Sequence, residues 1–161
     1  MSLPKKILVA YFSHSGNTRL IGKAIAREIG ADIEEIVPVT PYPLRGAWLY
    51  LHGGHQAKVG VAPPLQPALR DFVDYDLIIV GTPVWAGSMA PPVRSFFQLA
   101  PLEEKTAAYF STYLMSEAQS LKDMVAAGNA TSLGERGFKM TRQATNDSVN
   151  AARQWAKELL G

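Results

Sequence analysis

Two short segments of this chain are apolar at nearly every successive position, residues 6–12 (Lys-Ile-Leu-Val-Ala-Tyr-Phe) and residues 76–81 (Asp-Leu-Ile-Ile-Val-Gly). A strand with one wet face alternates polar and apolar residues, whereas a strand covered on both faces reads as a continuous apolar run. Neither run is long enough to span a bilayer, and the segments between them carry a helical period. The combination calls for a parallel sheet with helices on both faces.

From Asn17 onward Leu20, Ile21, Ala24, Ile25 and Ile29 recur at helical spacing, and Gly30 stands where a helix stops. Residues 32–37 read as a second strand whose acidic residues place it at an exposed edge. Helices are predicted over residues 68–73, 92–99, 116–127 and 147–160, and further strands over residues 106–110 and 137–140. Strands alternating with helices imply right-handed βαβ units. The expectation is a three-layer α/β fold on a five-stranded parallel sheet, formed by one domain over residues 1–161.

Residues 38–67 break this rhythm. Pro38, Pro41, Pro43, Pro63, Pro64 and Pro67 bracket Trp48, Tyr50, His52, Gly53, Gly54 and His55. Such a segment is too long and aromatic for a simple linker, and predicts a partly helical excursion over one end of the sheet.

Cysteine is absent, which removes disulfide scaffolds, thiolate nucleophiles, cysteine-ligated zinc and iron–sulfur clusters. The positive start of the chain is followed by an apolar run that Ser13 and His14 cut short, too early for a secretory signal. A cytoplasmic protein without a membrane span is expected. The formal charge of +2 is small and dispersed, unlike the clustered basic face of a nucleic-acid binder. His52 and His55 lack acidic or cysteine companions nearby, so no metal site is expected.

Ligands of open parallel sheets bind beyond the carboxyl ends of the strands. Ser13, His14, Ser15, Gly16, Asn17 and Thr18 occupy that place after the first strand and lead into a helix. Successive N–H groups there face one concavity, beside the positive end of the helix dipole, and hydroxyls and an amide add donors. Helix capping alone needs one such residue, and here five of six positions are hydroxyl, amide or glycine residues. A second loop, Thr82, Pro83, Val84, Trp85, Ala86 and Gly87, follows the third strand at the same edge. Trp85 offers a flat apolar face, and Ala86 and Gly87 offer backbone groups with little bulk.

A strand followed by Tyr-Phe-Ser-His-Ser-Gly-Asn-Thr, with Pro-Val-Trp-Ala-Gly after the third strand, resembles the flavodoxin family. The resemblance implies strand order 2-1-3-4-5 and noncovalent FMN, with the phosphate on residues 13–18 and the isoalloxazine ring against residues 82–87. Relatives place a third flavin loop where Ser111, Thr112 and Tyr113 end the fourth strand. They often have glycines there, whereas this chain continues Leu114-Met115. Tyr113 either stacks on the flavin or packs beneath the neighbouring helix. His14 either charges the phosphate site or faces solvent, and Arg45, Lys58 and Arg94 either rim the pocket or form a solvated face.

Related phosphate-loop folds fit less well. Low-molecular-weight tyrosine phosphatases need a cysteine nucleophile, and response-regulator receivers need an aspartate where Gly81 and Thr82 stand. The first loop is neither Gly-Lys-Ser/Thr nor Gly-x-Gly-x-x-Gly. Three functions stay open. One is an electron carrier serving redox partner proteins. Another is an NAD(P)H-dependent reductase of a quinone-like acceptor, and the third is a module for a non-flavin phosphate ligand. Carrier flavodoxins are typically strongly acidic, a bias this chain lacks. Tyr42, Trp48 and Tyr50 serve to cover the flavin, to line a substrate site or to form a homodimer contact. No catalytic acid or base is required, because the chemistry belongs to the cofactor.

Overall fold

The computed structural model describes residues 6–43, 46–68, 70–100 and 102–161, with the side chain of Tyr50 outside that description. Strand β1 (Ile7–Tyr11) is buried along its whole length. It lies between β2 (Asp32–Glu35) and β3 (Leu77–Trp85), and the sheet continues through β5 (Thr106–Tyr113) to β6 (Thr131–Lys139). All four of these pairings are parallel, so the order β2-β1-β3-β5-β6 is the expected 2-1-3-4-5 arrangement of five parallel strands. A two-residue strand, β4 (Ser88–Met89), adds a sixth by folding back antiparallel on the end of β3.

Alternate residues of β1 enter two different cores, which is why the run is apolar throughout. Ile7, Val9 and Tyr11 pack with Ile21 and Ile25 of α1 (Asn17–Ile29) and Trp155 of α5 (Thr145–Leu160). Leu8, Ala10 and Phe12 pack with Val93 and Phe96 of α3 (Pro91–Leu99) and Met124 of α4 (Ser120–Gly128). Two cores separated by one sheet make the three layers. Among the described residues no helix is long and apolar enough to cross a membrane.

The excursion is closed at its base by Val39 N–H to Pro64 O (2.9 Å) and Gln66 N–H to Val37 O (2.8 Å). Between these points it carries a π-helical turn over Leu49–Gly54 that runs into α2 (His55–Val59), so it is partly helical as expected.

Beyond β5 running on to Tyr113 and β2 stopping at Glu35, four elements differ from expectation, each for a local reason. Residues 82–88 are expected as loop by their proline and glycine content, but 82–85 and Ser88 are strand. Strand β3 continues through 82–85, since Thr82 and Pro83 pair with β5, and Val84 and Trp85 pair with β4. Only Ala86 (φ +48°) and Gly87 (φ +78°) turn, as a two-residue hairpin with both residues left-handed. The helix expected over 68–73 is only a 3₁₀ turn at Phe72–Asp74, and Leu69 lies outside the described residues. There Arg70 donates to Ile33 O and pairs with Asp32, pinning the chain across β2. Helix α4 begins at Ser120 rather than 116, because Ser116 Oγ accepts from Ala118 N–H and Ala118 turns left-handed. Strand β6 covers nine residues rather than 137–140. Among the described residues it pairs only with β5, as an edge strand, and most of its side chains meet water, so its sequence hides the strand.

Phe138 anchors β6 in the core at 2% exposure, while Leu133 on the same strand is 40% exposed. Phe138→Ala is expected to cost about 3–5 kcal/mol in urea unfolding. Leu133→Ala is expected to cost below about 1 kcal/mol.

Candidate functional site

The parallel register sets Tyr11 opposite Gly81 and Gly81 opposite Phe110, so the segments beginning at Phe12, Thr82 and Ser111 start at one level, the first leaving the sheet there while β3 and β5 run a few residues further. In the first of them Gly16 stands before α1 with φ +102°, a conformation that favours glycine. The helix cap comes from upstream: Ser13 Oγ accepts from Arg19 N–H at 3.1 Å. Among the described residues no group accepts from the N–H groups of Ser15, Gly16, Asn17 and Thr18. These are unpaired donors at the positive end of a 13-residue helix. Thr18 is buried, and its hydroxyl is 2.7 Å from that of Thr112, which ties the first turn of α1 to the end of β5.

In the second segment Thr82 is fully buried. Its hydroxyl accepts from Ala90 N–H (2.9 Å) and donates to Pro83 O (2.9 Å), fixing the start of α3. Trp85 meets three rings in edge-to-face geometry: Tyr42 at 4.9 Å, Phe12 at 5.5 Å and His14 at 5.7 Å. The hairpin is tied to the third segment by Gln119 N–H donating to Gly87 O at 2.9 Å. In that third segment Ser111 is buried with its hydroxyl unpartnered, whereas Leu114 and Met115 are exposed.

A cavity of about 430 Å³ opens between these segments. Of the expected residues, His14, Ser15 and Asn17 line it from the first segment, Pro83, Val84, Trp85 and Ala86 from the second, and Thr112 and Tyr113 from the third. Ser13, Gly16, Thr18, Thr82, Gly87 and Ser111 do not reach its wall. The sequence reading missed Leu49 and Gly54 of the excursion and Ser116, while Leu114 and Met115 extend the third segment. The Gly53-Gly54 pair was the one available signal for the excursion wall, since it lets backbone approach another element closely.

Among the described residues no lysine, arginine, aspartate or glutamate lines this cavity. Arg19 is bound to Glu35, Lys58 is exposed on α2, and Arg94 lies beside Gly60 at the end of α2. Arg45 lies outside the described residues. His14 is half-buried against Trp85, with its Nε2 shut from solvent and unpartnered. Tyr42 donates to Gln56 Oε1 at 2.8 Å, and burial pushes its hydroxyl up to about 12. A second cavity of about 250 Å³, lined in part by Ile36, Leu65, Phe72 and Phe96, collects none of the expected site residues.

Residues 6–156 match the flavodoxin family profile. The chain belongs to the flavodoxin family. Among solved structures, this family member is similar to a flavoprotein in complex with FMN from Lactobacillus acidophilus NCFM. The identity is 23%, the TM-score 0.73, and the match covers 83% of this chain and 93% of the other. It is also similar to a flavoprotein from Bacteroides uniformis, at 23% identity and TM-score 0.76, covering 94% and 97% of the two chains. A curated relative, the NAD(P)H dehydrogenase (quinone) of Caulobacter vibrioides, is 36% identical over 100 residues, 59% of this chain and 46% of the relative. A Bradyrhizobium protein of the same name is 33% identical over the same shares. The chain thus spans less than half the length of these curated relatives.

The half-buried phenol of Tyr42 beside Trp85 gives a pH signature. Tyr11 is also raised to about 12, chiefly by burial and then by the Glu35 carboxylate. The folded state favours both neutral phenols, so their contribution to stability is full below pH of about 10 and is lost as pH rises towards about 12. Burial also raises the hydroxyls of Tyr75 and Tyr109, so in an ultraviolet alkaline titration Tyr11, Tyr42, Tyr75 and Tyr109 should all ionise late, and Tyr42→Phe should remove one late step.

Proposed function

We propose that this chain binds FMN noncovalently in the 430 Å³ cavity and works as an electron-transfer flavoprotein. The observation that carries the reading is the row of N–H groups at Ser15–Thr18, without acceptors among the described residues, beside a chamber whose wall includes Ser15, Asn17, Trp85 and Tyr113. Backbone donors at a helix start suit a phosphate without needing lysine or arginine. The chamber falls in the usual range of roughly 300–1,000 Å³ for cofactor sites, and its apolar walls suit a flat ring system. That large apolar wall goes beyond what a simple phosphate-ligand module requires. Family membership and the FMN complex of the Lactobacillus neighbour point the same way.

When bound, FMN supplies one- and two-electron redox chemistry. The residues of this chain hold and orient it. Amides at 15–18 take the phosphate, Trp85 and Tyr113 bracket the ring, and Ala86 and Gly87 present backbone to its polar edge. A cysteine-free chain suits the reducing cytoplasm, where we place it.

A second reading, an NAD(P)H-dependent quinone reductase, draws on the names of the curated relatives. It is favoured by a wall without acidic or basic (Lys/Arg) side chains among the described residues and by the extra wall from Leu49 and Gly54, which give an apolar acceptor somewhere to sit.

Titration with FMN should quench flavin fluorescence with a Kd below about 1 μM, and a flat titration contradicts the reading. Ser15→Ala is the cleaner probe of the phosphate site, because Thr18→Ala would strand the Thr112 hydroxyl. It should weaken FMN roughly 10- to 100-fold, the loss of a charge-assisted hydrogen bond, and riboflavin far less. Stopped-flow mixing of the FMN-loaded protein with NADPH or NADH separates the two functions. Rapid flavin bleaching followed by turnover with a quinone establishes the reductase, and no bleaching leaves the carrier.

A further inference from the structure

Both aromatic walls of the cavity touch glycines that lie outside the three strand-end segments. A Cβ at Gly53 would stand 2.8 Å from Cζ3 and 3.1 Å from Cε3 of Trp85. A Cβ at Gly137 would stand 2.9 Å from Cε1 of Tyr113 and would overlap Oε2 of Glu117. Carbon atoms in comfortable contact are about 3.5–4.0 Å apart. Neither glycine has a positive φ, so the backbone does not require glycine at either place. What the two positions require is space for a ring.

The neighbouring atoms decide whether that space matters. Trp85 is already met by Phe12, His14 and Tyr42, so a methyl group at Gly53 cannot be absorbed by a free swing of the indole. At Gly137 the exposed Glu117 carboxylate can move aside, but the Tyr113 ring beneath it forms cavity wall and would shift. By contrast a Cβ at Gly54 would meet Ala86 Cβ at an ordinary 3.7 Å.

We propose that Gly53 and Gly137 are positioning residues: they set where the Trp85 and Tyr113 rings stand, and thereby select a flat polycyclic ring for the cavity. The inference rests on the FMN reading and deepens it, separating ring selection by Gly53 and Gly137 from phosphate capture by residues 15–18. It also gives the excursion and the edge strand β6 a role in ligand choice, although neither carries a flavin motif.

The test uses the full chain with Gly53→Ala, Gly137→Ala, Trp85→Phe and the Gly53→Ala/Trp85→Phe pair. It reads FMN and riboflavin affinity, together with near-ultraviolet circular dichroism of the flavin-free protein. Each glycine variant should weaken FMN and riboflavin by the same factor, roughly tenfold, leaving their ratio at the wild-type value. Gly53→Ala should also change the aromatic dichroism before any flavin is added. Trp85→Phe removes the benzo edge that carries Cζ3 and Cε3, so in that background Gly53→Ala should have little further effect. Unchanged affinities, a selective loss of FMN over riboflavin, or an equal penalty in the Trp85→Phe background would each overturn the inference. A wild-type chain that takes up neither flavin overturns the FMN reading, and the ring selection with it. The dichroism is read without ligand, so it separates that failure from a failure of the glycine–ring contacts.

Discussion

Parallel pairing of β1, β3 and β5 in one register is the constraint on which the site depends. Tyr11, Gly81 and Phe110 lie in a row across the sheet, so everything after them emerges at one edge. A one-residue slip would exchange the faces of a strand and send its side chains into the wrong core. Register is therefore held by two hydrophobic layers, each built from alternate residues of the same strands. The close approach of Gly81 to the ring of Phe110, where a Cβ would overlap it, is part of the same fit.

Electrostatics at that edge are unusually spare. Among the described residues no lysine or arginine side chain lines the cavity, and Arg19, the cation nearest in sequence, is engaged by Glu35. Positive potential comes from the helix start, where the amides of Ser15–Thr18 have no acceptor among the described residues and the Ser13 hydroxyl caps Arg19 N–H instead. Cross-links hold the three segments together: Thr18 to Thr112, and Gly87 to Gln119. The cavity's shape is thus fixed by neutral hydrogen bonds and ring packing rather than by ion pairs.

What could be read in the sequence follows from how local its cause is. The two buried strands announce themselves because both faces are apolar, and residues 13–18 because the anion site is made by consecutive residues. Trp85 is legible as site wall, but its strand is not. Pro83 signals a loop, and only the pairing of Thr82–Trp85 with β5 and β4 overrides it. Strand β6 is hidden because an edge strand meets water along most of its length. Nothing local in residues 49–54 says that they reach Trp85 and Ala86, since that contact is made only once the excursion folds back over the sheet. The Gly53-Gly54 pair marks a close approach without naming its partner.

The central claim is that three strand ends and the excursion form one flavin site. Amide mapping by heteronuclear NMR during addition of FMN tests it most directly. The account predicts that the largest shifts fall on the amides of Ser15–Thr18, the indole N–H of Trp85, the amides of Tyr113–Ser116 and that of Gly54. Shifts confined to residues around the second cavity, such as Ile36, Leu65 and Phe72, would contradict it.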